Sequence, residues 1–229
     1  MIYTNHITGV NVYDMEQGTE EWLRHRAGVI TASRAHDIIK SGRSGKASEA
    51  RTTYMLELIA QVCTGLVPES ASFKQAEWGH ENEPLAREAY EALEFVSVNQ
   101  CGLIYRDESL RCAISPDGIM EDRGLEIKNP FTSQVHIATL LDGKIKPEYV
   151  TQCQYSLWVT GLDRWEFCSY DHRMRGAASN RLVVIPQYRD AETMARFDEE
   201  IPKFISEMDE ALERLGFKFF DQWLLASRQ

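Results

Sequence analysis

Residues 115–130, SPDGIMEDRGLEIKNP, constrain this chain more than any other stretch. Two short runs with strand character, GIM and LEIK, flank the turn-forming EDRG, so the segment reads as a β-hairpin. Side chains alternate along a strand, which puts Leu125 and Ile127 on one face and Glu126 and Lys128 on the other. An isolated hairpin is marginal in water, so the apolar face must be covered by other elements. The charged face must meet something else.

The surrounding sequence supplies the cover. Helical periodicity is expected at residues 19–28, 51–63 and 76–93, with Thr31 or Ser33 capping a further helix that runs to Ile39 before the turn SGRSGK. Strand character follows at residues 95–98, 103–105, 112–114, 118–120 and 125–127. Beyond Pro130 the pattern predicts helices over 133–141 and 147–159, then strands over 164–170 and 181–185. A last amphipathic helix carries Met194, Phe197, Ile201, Phe204, Ile205, Met208, Leu212 and Leu215 on one stripe, bent or divided at Pro202. Helices, a meander and helices again predict an α/β fold, a central mixed β-sheet flanked by helices. No linker-like stretch divides residues 1–229, which read as one domain.

Composition narrows the class. With 43% hydrophobic and 26% charged residues the chain has the balance of a globular protein, and no apolar run reaches the ~18 residues of a membrane span. The N-terminal sequence lacks the basic start and apolar core of a secretory signal, so a cytoplasmic location is expected. Five cysteines without a CxxC pair argue against a disulfide framework and a zinc site, and predict buried free thiols. His80 and His136 have no partners at metal-ligand spacing, and Tyr155, Trp158 and Trp165 sit at core spacing. The net charge of −10 is uneven: residues 190–214 carry nine acids against three bases, whereas residues 22–56 carry seven bases against two acids. A local basic region can hold a polyanion on an acidic protein; a solvated helical face is the plainer explanation.

The hairpin carries the chemistry. Asp117 starts the first strand, and the turn can bring its carboxylate near that of Glu126. Two close carboxylates repel unless a proton or cation lies between them. Mg²⁺, a hard ion that takes oxygen ligands and keeps several waters, suits such a pair. Lys128 at the rim can orient or deprotonate a water, or offset charge developing on a phosphate. These are the parts needed for metal-assisted phosphodiester hydrolysis.

Pro116-Asp117 and Glu126-Ile127-Lys128 together resemble the signature of the PD-(D/E)XK nuclease superfamily. A closer resemblance is carried by QGTEEWLRHRAGVITAS, AEWGHENEPLAR, IYRDESLRCAISPDG, GLEIKNPFTS, QCQYSLWVTG and FISEMDEALERLGF, in one order along nearly the whole chain. These blocks are similar to the lambda exonuclease and YqaJ-like viral recombinase family. The resemblance implies a Mg²⁺-dependent 5′-to-3′ exonuclease that degrades linear double-stranded DNA and leaves 3′ tails for recombination. Two ions are implied, with Mn²⁺ able to substitute. Asp117, Glu126 and the carbonyl of Ile127 would hold one ion, Lys128 would serve the attacking water, and Glu83, with Glu81 as a close alternative, would hold the second. Gln152 would stand at the edge of the site. Arg26, Ser33 and Ser115 match positions that bind the DNA 5′-phosphate; by residue type alone, a salt bridge from Arg26 to a neighbouring acid is the plainer role. Asn129 departs from the family's cysteine on the strand face opposite Lys128, where no catalytic effect is expected. A homotrimeric ring and a single-strand annealing protein are the implied assembly and partner. The alternatives are an endonuclease of restriction or repair type and a catalytically silent DNA-binding scaffold.

Overall fold

The computed structural model describes residues 15–40, 48–68 and 73–225. Its element order is α1 (Glu20–Arg26), β1 (Ile30–Thr31), α2 (Ala35–Ile39), α3 (Glu49–Thr64), α4 (Phe73–Glu94), β2 (Ile104–Tyr105), β3 (Cys112–Ile114), β4 (Gly118–Ile119), β5 (Arg123–Lys128), α5 (Ser133–Asp142), α6 (Pro147–Thr160), β6 (Arg164–Tyr170), β7 (Leu182–Tyr188), α7 (Ala191–Leu215) and α8 (Asp221–Leu225). No helix among the described residues is long and apolar enough to cross a membrane.

The strands are mixed and helix-flanked, as expected, but they form two sheets rather than one. One has the order β1-β3-β2 and the other β4-β5-β6-β7. The hairpin pairs Gly118 with Leu125, and the turn closes through Met120 N–H donating to the Arg123 carbonyl at 2.8 Å. Parallel pairing sets Leu125 beside Glu166 and Glu126 beside Phe167. Gly124 is required in this strand, because a Cβ there would lie 2.2 Å from the Trp165 ring.

The four-stranded sheet separates two cores. Leu125 and Ile127 pack with Ala86 and Tyr90 of α4 and with Cys168, whereas Phe167 and Trp165 belong to the larger core with α6 and α7. The faces of β5 are thus divided as the alternation requires. Tyr155, Trp158 and Trp165 are all buried, as are four of the five cysteines; Cys63 is half-buried, and all five are free thiols. His136 is buried, with its ring nitrogens 2.8 Å from Ser169 Oγ and 2.8 Å from the Asn180 carbonyl, while His80 is exposed.

Three local expectations are corrected, the third in part. Residues 95–98 form no strand: Phe95 ends α4 at φ 56°, the Glu91 carboxylate accepts the Val98 N–H, and only Asn99 bridges to Ile119. The chain after residue 28 forms β1 and a short 3₁₀ turn before α2, and neither Thr31 nor Ser33 supplies a capping hydrogen bond. Of the bend or division expected at Pro202, division is ruled out: α7 runs through the proline as one helix. Its buried stripe of Phe197, Ile201, Phe204 and Met208 spans the proline and holds both halves to one core. Beyond α7, the short helix α8 is an element that the sequence reading did not include. The turn SGRSGK lies outside the described residues.

Candidate active site

The turn of the hairpin places Asp117 at the mouth of β4, with its Oδ2 accepting the Ile127 N–H at 2.6 Å. Glu126, 3% exposed, accepts from Lys128 Nζ at 2.5 Å and from Gln152 Nε2 at 2.7 Å, so α6 and β5 fix one carboxylate oxygen between them. Glu83 comes from the middle of α4. Its carboxylate is paired with Arg87 one turn later, and Arg87 Nε also donates to the Asp117 carbonyl at 3.1 Å. Sequence reasoning missed Arg87. The four-residue spacing from Glu83 was the available signal, whereas its bond to a backbone 30 residues away had none.

Three carboxylates therefore face two cations. Burial, then the charges of Glu126 and Glu83, raise the Asp117 pKa well above the usual carboxylate range. Burial raises that of Glu83 as well, against the pull of Arg87. Burial opposes the charge on Lys128, yet Glu126 and Asp117 more than offset it and raise its pKa, so Lys128 is an ammonium in the metal-free protein. An all-oxygen donor set with uncompensated negative charge fits a hard divalent cation. Among the described residues no three His, Cys, Asp or Glu side chains enclose an ion by themselves. Glu81, the alternative to Glu83, is exposed.

Two residues upstream of Asp117, Ser115 Oγ accepts from Arg26 Nη1 at 2.8 Å and from Trp22 Nε1 at 3.0 Å. The Arg26 guanidinium lies 4.2 Å from the Trp22 ring centroid. Among the described residues no carboxylate pairs with Arg26; Glu20 is bridged to Arg24 instead. Ser33 is exposed and bonds to neither Arg26 nor Ser115, so the structure brings two of the three proposed phosphate-binding residues together. The wider basic segment is partly spent internally. Arg34 is held by Asp37 and Glu57, and Arg51 makes two bonds to Glu207. Arg43 and Lys46 lie outside the described residues.

A cavity of about 670 Å³ opens beside Lys128, walled by Phe131, Tyr149 and Phe167 and rimmed by Lys144 and Lys146. The Tyr149 ring stacks on Phe167 at 5.6 Å, and Lys128 and Lys146 lie 5.1 and 5.6 Å from its centroid. Neither Lys144 nor Lys146 forms an ion pair among the described residues.

Residues 21–163 match the family profile of the YqaJ-like viral recombinase domain. An alkaline exonuclease from Laribacter hongkongensis has a similar structure, with a TM-score of 0.77 and 34% identity, over 86% of this chain and 96% of that one. Its complex with dAMP matches at a TM-score of 0.76 and 33% identity over the same 86% and 96%. A phage related exonuclease from Haemophilus somnus 129PT shares the fold, with a TM-score of 0.62 and 14% identity over 82% of this chain and 96% of that one. ExoD of Escherichia coli K12 is 47% identical over 79 residues, 34% of this chain and 87% of ExoD. The hairpin with its acids and lysine, the helix acid and the PD-(D/E)XK-like fold agree with these similarities: the chain belongs to the YqaJ-like viral recombinase family.

Proposed function

We propose that this protein is a Mg²⁺-dependent nuclease of phage recombinase type, degrading linear double-stranded DNA from its 5′ ends and leaving 3′ single strands. The observation that carries this proposal is the cluster of Glu83, Asp117 and Glu126 around Lys128, in which burial and the neighbouring carboxylates raise the Asp117 pKa and burial raises that of Glu83, the mark of oxygen ligands gathered without enough positive charge to hold them all ionised. Asp117, Glu126 and the Ile127 carbonyl would hold one ion and Glu83 a second, with Mn²⁺ able to substitute. Bound metal would polarise the scissile phosphate and offset its charge in the transition state. Gln152 holds Glu126 in place. Lys128, kept cationic by its neighbours, orients the attacking water and offsets charge developing on the phosphate oxygens.

The Arg26–Ser115 pair supports an end-directed activity. A terminal phosphate carries more charge than a diester, and a fixed guanidinium with no carboxylate partner among the described residues can read that difference. Burial lowers the pKa of Arg26 from its usual value but leaves it far above neutrality. The lysine-rimmed aromatic cavity beside Lys128 would take the substrate strand, since cations at the rim and rings at the wall suit a phosphate and a base. A homotrimeric ring would retain a long duplex that this acidic chain holds weakly, and a single-strand annealing protein would receive the 3′ tail.

The test compares linear and covalently closed duplex, with and without Mg²⁺. Loss of the linear form alone, only with metal, is the expected result. Cleavage of the closed circle would favour an endonuclease, and no cleavage with Mg²⁺ or Mn²⁺ would favour a silent scaffold. A 5′-phosphorylated duplex should be digested faster than its 5′-hydroxyl counterpart, and Arg26→Ala should erase most of that preference. If the variant discriminates fully, Arg26 is not the phosphate sensor.

A further inference from the structure

Gly79, Glu83 and Arg87 recur at four-residue spacing on one face of α4, and the residues on either side of Glu83 both reach the hairpin. One turn before Glu83, the Gly79 carbonyl accepts from Asn129 Nδ2 at 3.1 Å. One turn after it, Arg87 Nε donates to the Asp117 carbonyl at 3.1 Å while the same guanidinium holds Glu83. Asn129 directly follows Lys128, so the first tie starts at the end of β5 and the second reaches the start of β4. We propose that Asn129 and Arg87 are positioning residues that fasten α4 to the two ends of the hairpin and set Glu83 opposite Asp117 and Glu126. The proposal rests on Glu83 being a ligand of the second ion.

The setting of Asn129 favours this role over a packing role. Among the described residues its amide oxygen is buried without a hydrogen-bond partner, and so is the indole nitrogen of neighbouring Trp78. A half-satisfied amide is a poor choice for stability alone, because an apolar side chain of similar size avoids the unmade bond. What the amide supplies is a directed link to one carbonyl. In a helix that carbonyl is also the acceptor for the N–H of Glu83, so the link acts on the turn that carries the acid. The start of α4 is braced further by Trp78, which lies 4.5 Å from the Arg173 guanidinium and edge-on to Phe131. Arg173 in turn donates to the carbonyls of Pro130 and Phe131. A direct role for Asn129 is not implied, since its side chain projects away from Lys128.

The test is calorimetric titration of Mn²⁺ into the metal-free protein, with melting temperature and steady-state kinetics beside it. Wild type should bind two ions and Glu83→Gln one. Asn129→Leu should weaken one site by ~10-fold or more, the usual effect of removing a group that orients a ligand, and leave the other unchanged. Its melting temperature should not fall, and kcat should drop with KM for DNA unaltered. Arg87→Lys keeps the charge but loses the fork that spans Glu83 and the Asp117 carbonyl, and should weaken the same site, so the proposal stays exposed if Asn129→Leu folds poorly. A lower melting temperature with both Mn²⁺ sites intact would make these residues structural and overturn the proposal. If Glu83→Gln itself keeps both sites, the assignment of Glu83 as a ligand fails, a result separate from failure of the two ties.

Discussion

Glu126 and Glu166 sit on neighbouring strands, both buried, on opposite faces of the sheet, and the chain treats them differently. Glu166 is surrounded by donors: the Tyr90 hydroxyl, the Arg164 guanidinium and Arg123, 3.5 Å away. Arg123 is itself bonded to Tyr90 at 2.9 Å, which closes the network. Glu126 has Lys128 and Gln152 but shares its surroundings with Asp117 and Glu83. One carboxylate has its donors supplied by its own protein; the other belongs to a cluster of three carboxyls that resist ionising together, two of them with raised pKa. Buried charge needs a partner, so a partner from outside the chain is the simplest resolution at Glu126.

The comparison breaks most sharply with a pair of substitutions. Glu126→Gln should reduce DNA digestion by on the order of 10³-fold while the melting temperature holds or rises, because the lost charge works on the transition state and relieves a repulsion in the metal-free protein. Glu166→Ala should do the reverse, costing about 3 kcal/mol or more by leaving two arginines without their buried partner, while turnover of the folded fraction stays near wild type. Melting curves and digestion rates on the two variants decide this; a Glu126→Gln protein at the wild-type rate would end the metal assignment. Lys128→Ala comes next, with an expected loss of about 10²-fold in kcat and little change in DNA affinity. Equal losses in kcat and binding would place Lys128 in substrate binding instead. Asp117→Asn should raise the melting temperature of the metal-free protein by about 2–4 °C for each kcal/mol of repulsion relieved. No rise would mean that the three carboxylates do not strain the fold.

The candidate site was legible in the sequence to the extent that it is local. Turn chemistry and alternation gave the hairpin and separated Glu126 and Lys128 from Leu125 and Ile127, and helical spacing placed Gln152 on α6. Contacts between distant segments left no such trace. The Arg26–Ser115 bond spans 89 residues and was reached through resemblance alone. The split into two sheets turns on β1, which is two residues long, too short for a period to show, and pairs in parallel with β3. Arg51 was counted among the basic residues available to a polyanion, but its partner Glu207 lies on α7, and pairing across 156 residues cannot be seen in a charge count.

Asp171 offers the finest test, because it is a third buried carboxylate and belongs with Glu166 rather than with Glu126. Burial alone would raise its pKa, but the hydrogen bonds from Arg173 and Ser133 prevail and bring it to about 2. The folded carboxyl thus holds its proton less tightly than the unfolded one, whose pKa is about 3.9. Its contribution to stability is complete above that value and is lost as the pH falls through about 2. The consequence is local as well as global, since Arg173 spans Asp171 and the carbonyls of Pro130 and Phe131, just beyond Lys128. Melting temperatures of wild type and Asp171→Asn, measured from pH 5 to pH 2, should start apart with wild type higher and converge as the carboxylate is protonated. Curves that stay parallel across this range would show that the Asp171–Arg173 bridge adds nothing through its charge, and the division between carboxylates neutralised within the chain and those left for an external ion would then rest on Glu166 alone.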